Sequence, residues 1–354
     1  MGTSVMSESA AMEFDTSIQT PGTRIERGGK WSRRAIGSLA SFLLIVPTLA
    51  LAQSDYPNRP IRLVVGYPPG GTTDVIARVT GEALSRTIGQ PVIVENKPGA
   101  GGTIASDFVS RAAPDGYTLL VNSVFMFGAD QLTFKDTKYD GYRDFTSIGL
   151  LADAPLIVTV SANLGVTTMQ ELIAKAKESP NKFFFGSAGS GTATHLAGLY
   201  FKRLTGTQIV HVPFKGGSPS AASLLSNDTQ VLFATPVSVV PLIQSGRLKA
   251  LAVTQNPRSP LYPNIPSAAE VGLPSFEFSV WLGAFGPAKL PPAVLDKLSK
   301  AISIAVADPV VQKTLASNGV QAVSSKSPKE FMERIAKDGP EFTRLTQEAG
   351  LQAD

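Results

Sequence analysis

The chain contains no cysteine. That excludes disulfides, zinc–thiolate centres and cysteine nucleophiles. Histidine is almost as scarce, with only His195 and His211 in 354 residues. Two imidazoles give little material for a histidine-rich metal site or an extended proton relay. Charge is also sparse: 17% of residues are charged, and the formal excess is +4, spread along the chain. No basic cluster is interleaved with aromatics, so no nucleic-acid partner is expected. Beyond residue 52 no apolar run is long enough to cross a bilayer. What is present is a hydrophobic content of 43%, sufficient at this length for two domains with cores of their own.

The N-terminus reads as a targeting segment. Lys30, Arg33 and Arg34 precede an apolar run from Ala35 to Leu51, which Pro47 interrupts. Ala50-Leu51-Ala52 is a small-residue cleavage pattern, so residues 1–52 are expected to be removed and the working protein to be exported. Ser32-Arg33-Arg34 only loosely matches a twin-arginine signal, which leaves the export route open.

The stretch Ile61–Arg78 organises the rest. Leu63-Val64-Val65 is a buried strand, and Pro68 and Pro69 end it. Gly70 and Gly71 form the turn. A helix follows, with Val75, Ile76, Val79 and Ala83 on one face and Thr72 or Thr73 as its cap. Asp74 suits the positive end of the helix dipole. Strand, glycine turn and helix start aim free N–H groups at one point, a place to hold an anion.

The same grammar recurs. Pro91 to Val94 is a strand leading into Asn96–Gly102. Thr103 is the expected cap of a helix with Ile104, Phe108 and Val109 inward, and Tyr117 to Val121 is a third strand ending at Asn122-Ser123. Such alternation implies parallel βαβ units, whose ligand crevice lies beyond the carboxyl ends of the strands. The turns at Gly70 and Gly101, and Ser123, share that edge. Asp153-Ala154-Pro155 separates two apolar runs and marks a crossover. Thr168 and Glu171 then form a capping box. Phe183 to Phe185 runs into Ser187-Ala188-Gly189-Ser190-Gly191-Thr192 and a helix carrying Leu196, Leu199, Tyr200 and Leu204. Ile209 to Val212 leads to Lys215-Gly216-Gly217, with Ser218 as cap and Pro219 at the first helical position. Phe276 to Phe285 returns to the first domain. Helical tracts near 291–318 and 328–349 close the chain.

Ser190 and His195 lie five apart at a helix start, which raises a hydrolase as one reading. No G-x-S-x-G elbow is present, and His195 reads as a local hydrogen-bonding residue. Glycines 186, 189 and 191 lack the dinucleotide spacing, and no acidic residue follows at the required distance. No cofactor and no metal are expected. Lys215 suits either a carboxylate partner or a solvated loop. Trp281 reads as core, and Phe125 and Phe127 as core or pocket wall. Amide and hydroxyl donors without a reactive group describe a binder, not an enzyme.

Several segments then resemble one known family in order. They are Tyr-Pro-Asn-Arg-Pro-Ile-Arg (56–62), Pro-Pro-Gly-Gly-Thr-Thr-Asp (68–74), Val-Glu-Asn-Lys-Pro-Gly-Ala-Gly-Gly (94–102), Pro-Asp-Gly-Tyr-Thr-Leu-Leu (114–120), Gly-Ser-Ala-Gly-Ser-Gly-Thr-Ala-Thr-His-Leu (186–196), Val-Pro-Phe-Lys-Gly-Gly (212–217) and Ile-Pro-Ser-Ala-Ala-Glu-Val-Gly-Leu-Pro (265–274). Together they resemble the Bug family, extracytoplasmic solute-binding proteins of tripartite tricarboxylate transporters. The resemblance implies an α/β, two-lobed periplasmic-binding-protein type II (Venus flytrap) fold, each lobe a mostly parallel sheet flanked by helices. Lobe 1 would comprise 53–153 plus 276–354, and lobe 2 residues 154–275. It implies a periplasmic monomer that gives a small organic acid to membrane permease subunits. A sensor domain without transport is the other reading. The loops Tyr67–Asp74 and Ser187–His195 would face each other and hold a carboxylate, partly through water. The expected ligand set is Tyr67, Gly70, Gly71, Thr72, Thr73, Asp74, Ser123, Ser187, Gly189, Ser190, Thr192, His195, Lys215 and Gly216. Ala234 stands where the family often has an acid, which points away from an amino-bearing ligand and towards a less polar one.

Overall fold

The computed structural model describes residues 56–351. The expected export signal and its cleavage position lie outside the described residues. The chain begins with β1 (Ile61–Val65), α1 (Thr72–Ile88), β2 (Val92–Asn96), α2 (Thr103–Ser110), β3 (Thr118–Ser123), α3 (Ala129–Thr133) and the long β4 (Phe145–Pro155). It continues with β5 (Ile157–Ser161), α4 (Met169–Glu178), β6 (Phe184–Ser187), α5 (Ala193–Thr205), β7 (Val210–Pro213), α6 (Gly217–Leu225), β8 (Val231–Ala234), α7 (Pro236–Gln244) and β9 (Leu248–Val253). It returns through β10 (Ser279–Pro287), α8 (Pro292–Ala307), α9 (Pro309–Ser317), β11 (Gln321–Ala322) and α10 (Pro328–Glu348).

Two sheets result. One has the order β11-β4-β10-β3-β1-β2 and the other β7-β6-β8-β5-β9. The chain leaves the first sheet after Pro155 and enters the second at Ile157, so a single residue, Leu156, separates them. Each sheet is mixed, which refines the expected mostly parallel pattern. β1 is parallel to β2 and β3, and β6 to β7 and β8. The strands that carry the chain between sheets run antiparallel: β10 against β3 and β4, and β5 against β8 and β9. The βαβ units therefore supply the parallel pairs, and the hinge strands close each sheet from the opposite direction.

One apolar core runs through both sheets. Phe276 and Phe278, on the return segment, are fully buried. Phe342 of α10 packs against both Phe125 and Phe278. Arg203 of α5 also meets Glu348 of α10 at 3.0 Å. Trp281 is core, as its residue type suggested: it is fully buried and its Nε1–H donates to Asp338 at 2.9 Å.

Several local expectations need correction. The residues capping α1 and α2 are Gly71 and Gly102, not Thr72 or Thr73 and not Thr103, which already lie inside the helices. α2 buries Ala105, Ser106 and Val109, while Ile104 and Phe108 are 52% and 38% exposed. Small residues let the helix sit close on β1 and β3, and the Phe108 ring is covered instead by the Lys97 ammonium at 4.4 Å. In α5 Leu196 and Tyr200 are buried as expected and Phe201 joins them, but Leu204 is 36% exposed. α6 starts two residues earlier than Ser218 and Pro219 suggested. Gly216, at φ +115°, is its N-cap, and an added Cβ on Gly217 would fall 2.1 Å from Ser238 Oγ. The capping box at Thr168 and Glu171 forms as read, with Glu171 N–H donating to Thr168 Oγ1 at 3.1 Å.

Candidate functional site

The carboxyl ends of the parallel strands in both sheets open on one cleft. It encloses about 820 Å³ of empty space, part of it open to solvent. Tyr67 to Thr73 come from the end of β1, and Ser123 and Phe125 from the end of β3. Ala188 and Thr192 follow β6, Lys215 to Pro219 follow β7, and Thr235 follows β8. Ala154 of β4, with Val280 and Leu282 of β10, forms the wall at the hinge strands.

Four helices start at this cleft, and their N-cap residues, Gly71, Thr192, Gly216 and Thr235, all line it. None of the four makes a side-chain capping hydrogen bond. The first backbone N–H groups of α1, α5 and α6 (Thr72, Thr73, Ala193, Thr194, Gly217 and Ser218) find no acceptor among the described residues. Helix starts normally satisfy such donors with a capping side chain or water. Here they face the cleft as a positive end of several dipoles. Thr72 adds a hydroxyl that is buried and has no hydrogen-bond partner among the described residues. A buried polar atom left alone is costly unless something supplies its partner. Lys215 is exposed and is the sole charged residue in the lining. The arrangement is a receptacle for an anion.

Each loop is braced from behind. Asp74 Oδ2 accepts Gly70 N–H at 2.8 Å and Arg78 Nε–H at 2.9 Å, while its Oδ1 accepts Asn96 Nδ2–H at 2.8 Å. Burial pushes this carboxyl up, but the hydrogen bonds from Arg78, Gly70 and Asn96 outweigh it and hold it below the usual carboxylate range. In the second loop, Thr194 Oγ1 accepts Ala188 N–H at 2.8 Å, and Thr192 Oγ1 donates to Gly189 O at 2.7 Å. His195 Nδ1 accepts Gly191 N–H at 3.1 Å. Ser187 Oγ lies 2.6 Å from His211 Nε2 and accepts Gly189 N–H at 3.1 Å. The two imidazoles stack at 3.6 Å with 13° between their planes. Burial pushes His195 down to about 3, helped by the neighbouring His211, and burial pushes His211 down to about 4. Both rings are neutral at physiological pH. Gly191 shows why this loop is glycine-rich: its φ is +75°, and an added Cβ would lie 2.4 Å from Thr133 and 2.5 Å from Phe134 of the first sheet's side.

The model for the tripartite tricarboxylate transporter family receptor matches residues 76–351. BugT of Bordetella pertussis is 32% identical over 321 residues, covering 90% of this chain and 98% of that protein. The chain belongs to this receptor family. Among solved structures, the periplasmic binding protein BugD is 32% identical with a TM-score of 0.79, covering 84% of this chain and all of that one. MatC from Rhodopseudomonas palustris, solved with bound malate, is 29% identical with a TM-score of 0.77, and an R. palustris protein solved with adipate is 28% identical with a TM-score of 0.80. They cover 82% and 84% of this chain, and all of each relative. The protein is thus a two-lobed solute-binding receptor of the Bug type, of a family that serves membrane transporters from the periplasm.

Within the receptor's cleft lie Tyr67, Gly71, Thr72, Thr73, Ser123, Thr192, Lys215 and Gly216, eight of the fourteen residues expected there. The others are elsewhere. Asp74 is turned inward by its three donors, and Gly70 is occupied by it. Ser187 is fully buried behind its loop against His211. Gly189 and Ser190 line an adjoining hollow near Pro98–Gly102. Ser190 is exposed, and no hydrogen bond joins it to His195, whose Nδ1 is already taken by Gly191. The Ser190–His195 hydrolase reading therefore has no relay to work with. Sequence reading missed the hinge-strand wall of Ala154, Val280 and Leu282. It carries no polar signature, and only the register pairing of Val280 with Ala154 brings it together.

Proposed function

We propose that the cleft holds the carboxylate of a small organic acid, and that the receptor delivers this acid to membrane permease subunits without altering it. The single observation behind this reading is the set of unsatisfied first-turn N–H groups around the orphaned Thr72 hydroxyl and Lys215. A carboxylate has two oxygens with several lone pairs, and charge-assisted hydrogen bonds from such donors are the strong kind. Tyr67, Gly71, Thr72, Thr73, Ser123, Thr192, Lys215 and Gly216 are the proposed contacts. Gly70, Asp74, Ser187, Gly189, Ser190 and His195 act through the shape of their loops. The lobes, 53–153 with 276–354 and 154–275, close over the ligand by hinging at the strand crossings. The mature protein is a periplasmic monomer cut near Ala52. Relatives solved with malate and adipate support an acid as the ligand class.

A thermal-shift screen of organic acids on the exported protein tests the proposal. A binder at 100 times its Kd adds about 2.7 kcal/mol of stability. The acid is recovered unchanged after incubation. Gly71→Leu and Thr192→Leu project into the cleft and are expected to lose binding at least tenfold while keeping the wild-type circular dichroism. Retained affinity in both variants places the ligand elsewhere, and turnover of the acid refutes a pure receptor.

A further inference from the structure

We propose that the preferred ligand is a monocarboxylate with an uncharged, apolar body, in preference to dicarboxylates and amino acids. This rests on the carboxylate reading above and narrows it. The cleft is asymmetric. Its donors sit at the starts of α1, α5 and α6. The facing wall is Phe125, Ala154, Val280 and Leu282. These four are contiguous: Val280 pairs with Ala154, and Leu282 pairs with Ser123, two residues before Phe125. Ala154, Val280 and Leu282 have their backbones in the strand ladders, so among the described residues the only polar side chain on this wall is the Ser123 hydroxyl, beside Leu282, and it carries no charge.

The fourth helix start does not remedy this. In α7 the first position is Pro236, which has no N–H. Ser238 N–H is bonded to Thr235 O at 3.1 Å, and the Thr235 and Ser238 hydroxyls lie 3.2 Å apart. Of its first three residues that leaves only the Val237 N–H, and Val237 itself is not part of the cleft lining. Lys215 is the one cation in the lining, among the described residues, and an anion has use for it only once. A second carboxylate against the apolar wall would lose its water without gaining a counter-charge, which is heavily disfavoured. An ammonium group fares no better. No acidic side chain lines the cleft among the described residues. The nearby Asp74 is enclosed by Gly70, Arg78 and Asn96, its side chain 3% exposed. Methylene or aromatic surface, by contrast, matches this wall, at about fourfold in affinity per buried methylene.

The test is isothermal titration calorimetry of the protein purified from the periplasm with isosteric probes. Hexanoate ends in a methyl group, adipate in a second carboxylate, 6-aminohexanoate in an ammonium, and hexanamide lacks the acid head. Benzoate and terephthalate repeat the comparison with an aromatic body. Hexanoate or benzoate is expected to bind at least 100-fold more tightly than its doubly charged counterpart, and hexanoate about sixteenfold more tightly than butanoate. Adipate, terephthalate or 6-aminohexanoate binding as tightly as the matching monoacid overturns this inference and leaves the carboxylate receptor intact. Hexanamide matching hexanoate, or no acid binding at all, removes the carboxylate reading itself.

Discussion

The loop after β1 and the loop after β6 do the same job with different chemistry. Both present an uncapped helix start to the cleft, at Gly71 and at Thr192. The first is held from behind by an ionised group, Asp74, with Arg78 and Asn96 as its partners. The second is held by neutral groups: two threonine hydroxyls, a serine and a stacked imidazole pair. In the second loop the N-cap side chain, Thr192, is used to fix the loop, and in the first the N-cap is Gly71, which has no side chain, so in both the forward N–H groups stay free. The difference teaches where charge is tolerated. Asp74 is neutralised locally by Arg78, so neither brace contributes a net negative charge that would oppose an anion in the cleft.

Removing the braces should separate them. Asp74→Ala strands the Arg78 guanidinium, Gly70 N–H and Asn96, and is expected to cost about 2–4 kcal/mol in urea unfolding. His195→Ala strands one N–H, that of Gly191, and should cost about 1–2 kcal/mol. Equal losses would mean that the charged brace has no special weight.

Acid sharpens the contrast. The folded-state pKa values of His195 and His211 are depressed to about 3 and about 4 by burial. Below about pH 6.5 the unfolded chain takes up protons that the folded one refuses, so this contribution is lost as pH falls towards 4. Asp130 opposes it. Burial raises its carboxyl to about 7, against the lowering effect of the Tyr139 hydrogen bond. Its contribution is therefore lost as pH rises from about 4 towards 7. Two groups outweigh one, so stability should rise between pH 4 and 6.5, by at most about 1.4 kcal/mol per pH unit for each net proton. Asp130→Asn should steepen that slope, and the double variant His195→Gln, His211→Gln should reverse its sign. The Asp74 brace, with its lowered carboxyl pKa, is fully present above about pH 4 and fails only in stronger acid. A wild-type slope of the opposite sign would mean that the imidazoles are protonated in the fold.

The smallest effect is the most specific. Thr72→Val removes the unpartnered hydroxyl and keeps the shape. Affinity for the acid should fall about three- to tenfold, while the midpoint of unfolding without ligand stays or rises. A drop in unliganded stability would show that the hydroxyl already has a partner.

Much of this was legible in the sequence because the signals are local. Strand, glycine turn and helix start follow one another directly at 63–76 and 183–196, so both loops of the cleft could be read without tertiary information. The same holds for the Thr168 capping box. The true caps were not legible: Gly71, Gly102 and Gly216 take the position that neighbouring threonines or serine would fill by propensity. Tertiary packing set the face of α2 against its apolar pattern, and in α5 it turned Leu204 outward and Phe201 inward. Ser187 and His211 are 24 residues apart and meet only because β6 and β7 are parallel neighbours. The hinge wall of Ala154 and Val280 likewise depends on β4 and β10 pairing across 126 residues of sequence, as the Ser279–Asp153 contact also does.

The most direct test of the account is amide chemical-shift mapping of the protein on titration with the tightest-binding acid. The largest downfield shifts are predicted at the N–H groups of Thr72, Thr73, Ala193, Thr194, Gly217 and Ser218, on both sides of the cleft at once. Shifts confined to one lobe, or centred on the hollow around Pro98–Gly102 and Ser190, would contradict a carboxylate held between the two sets of helix starts.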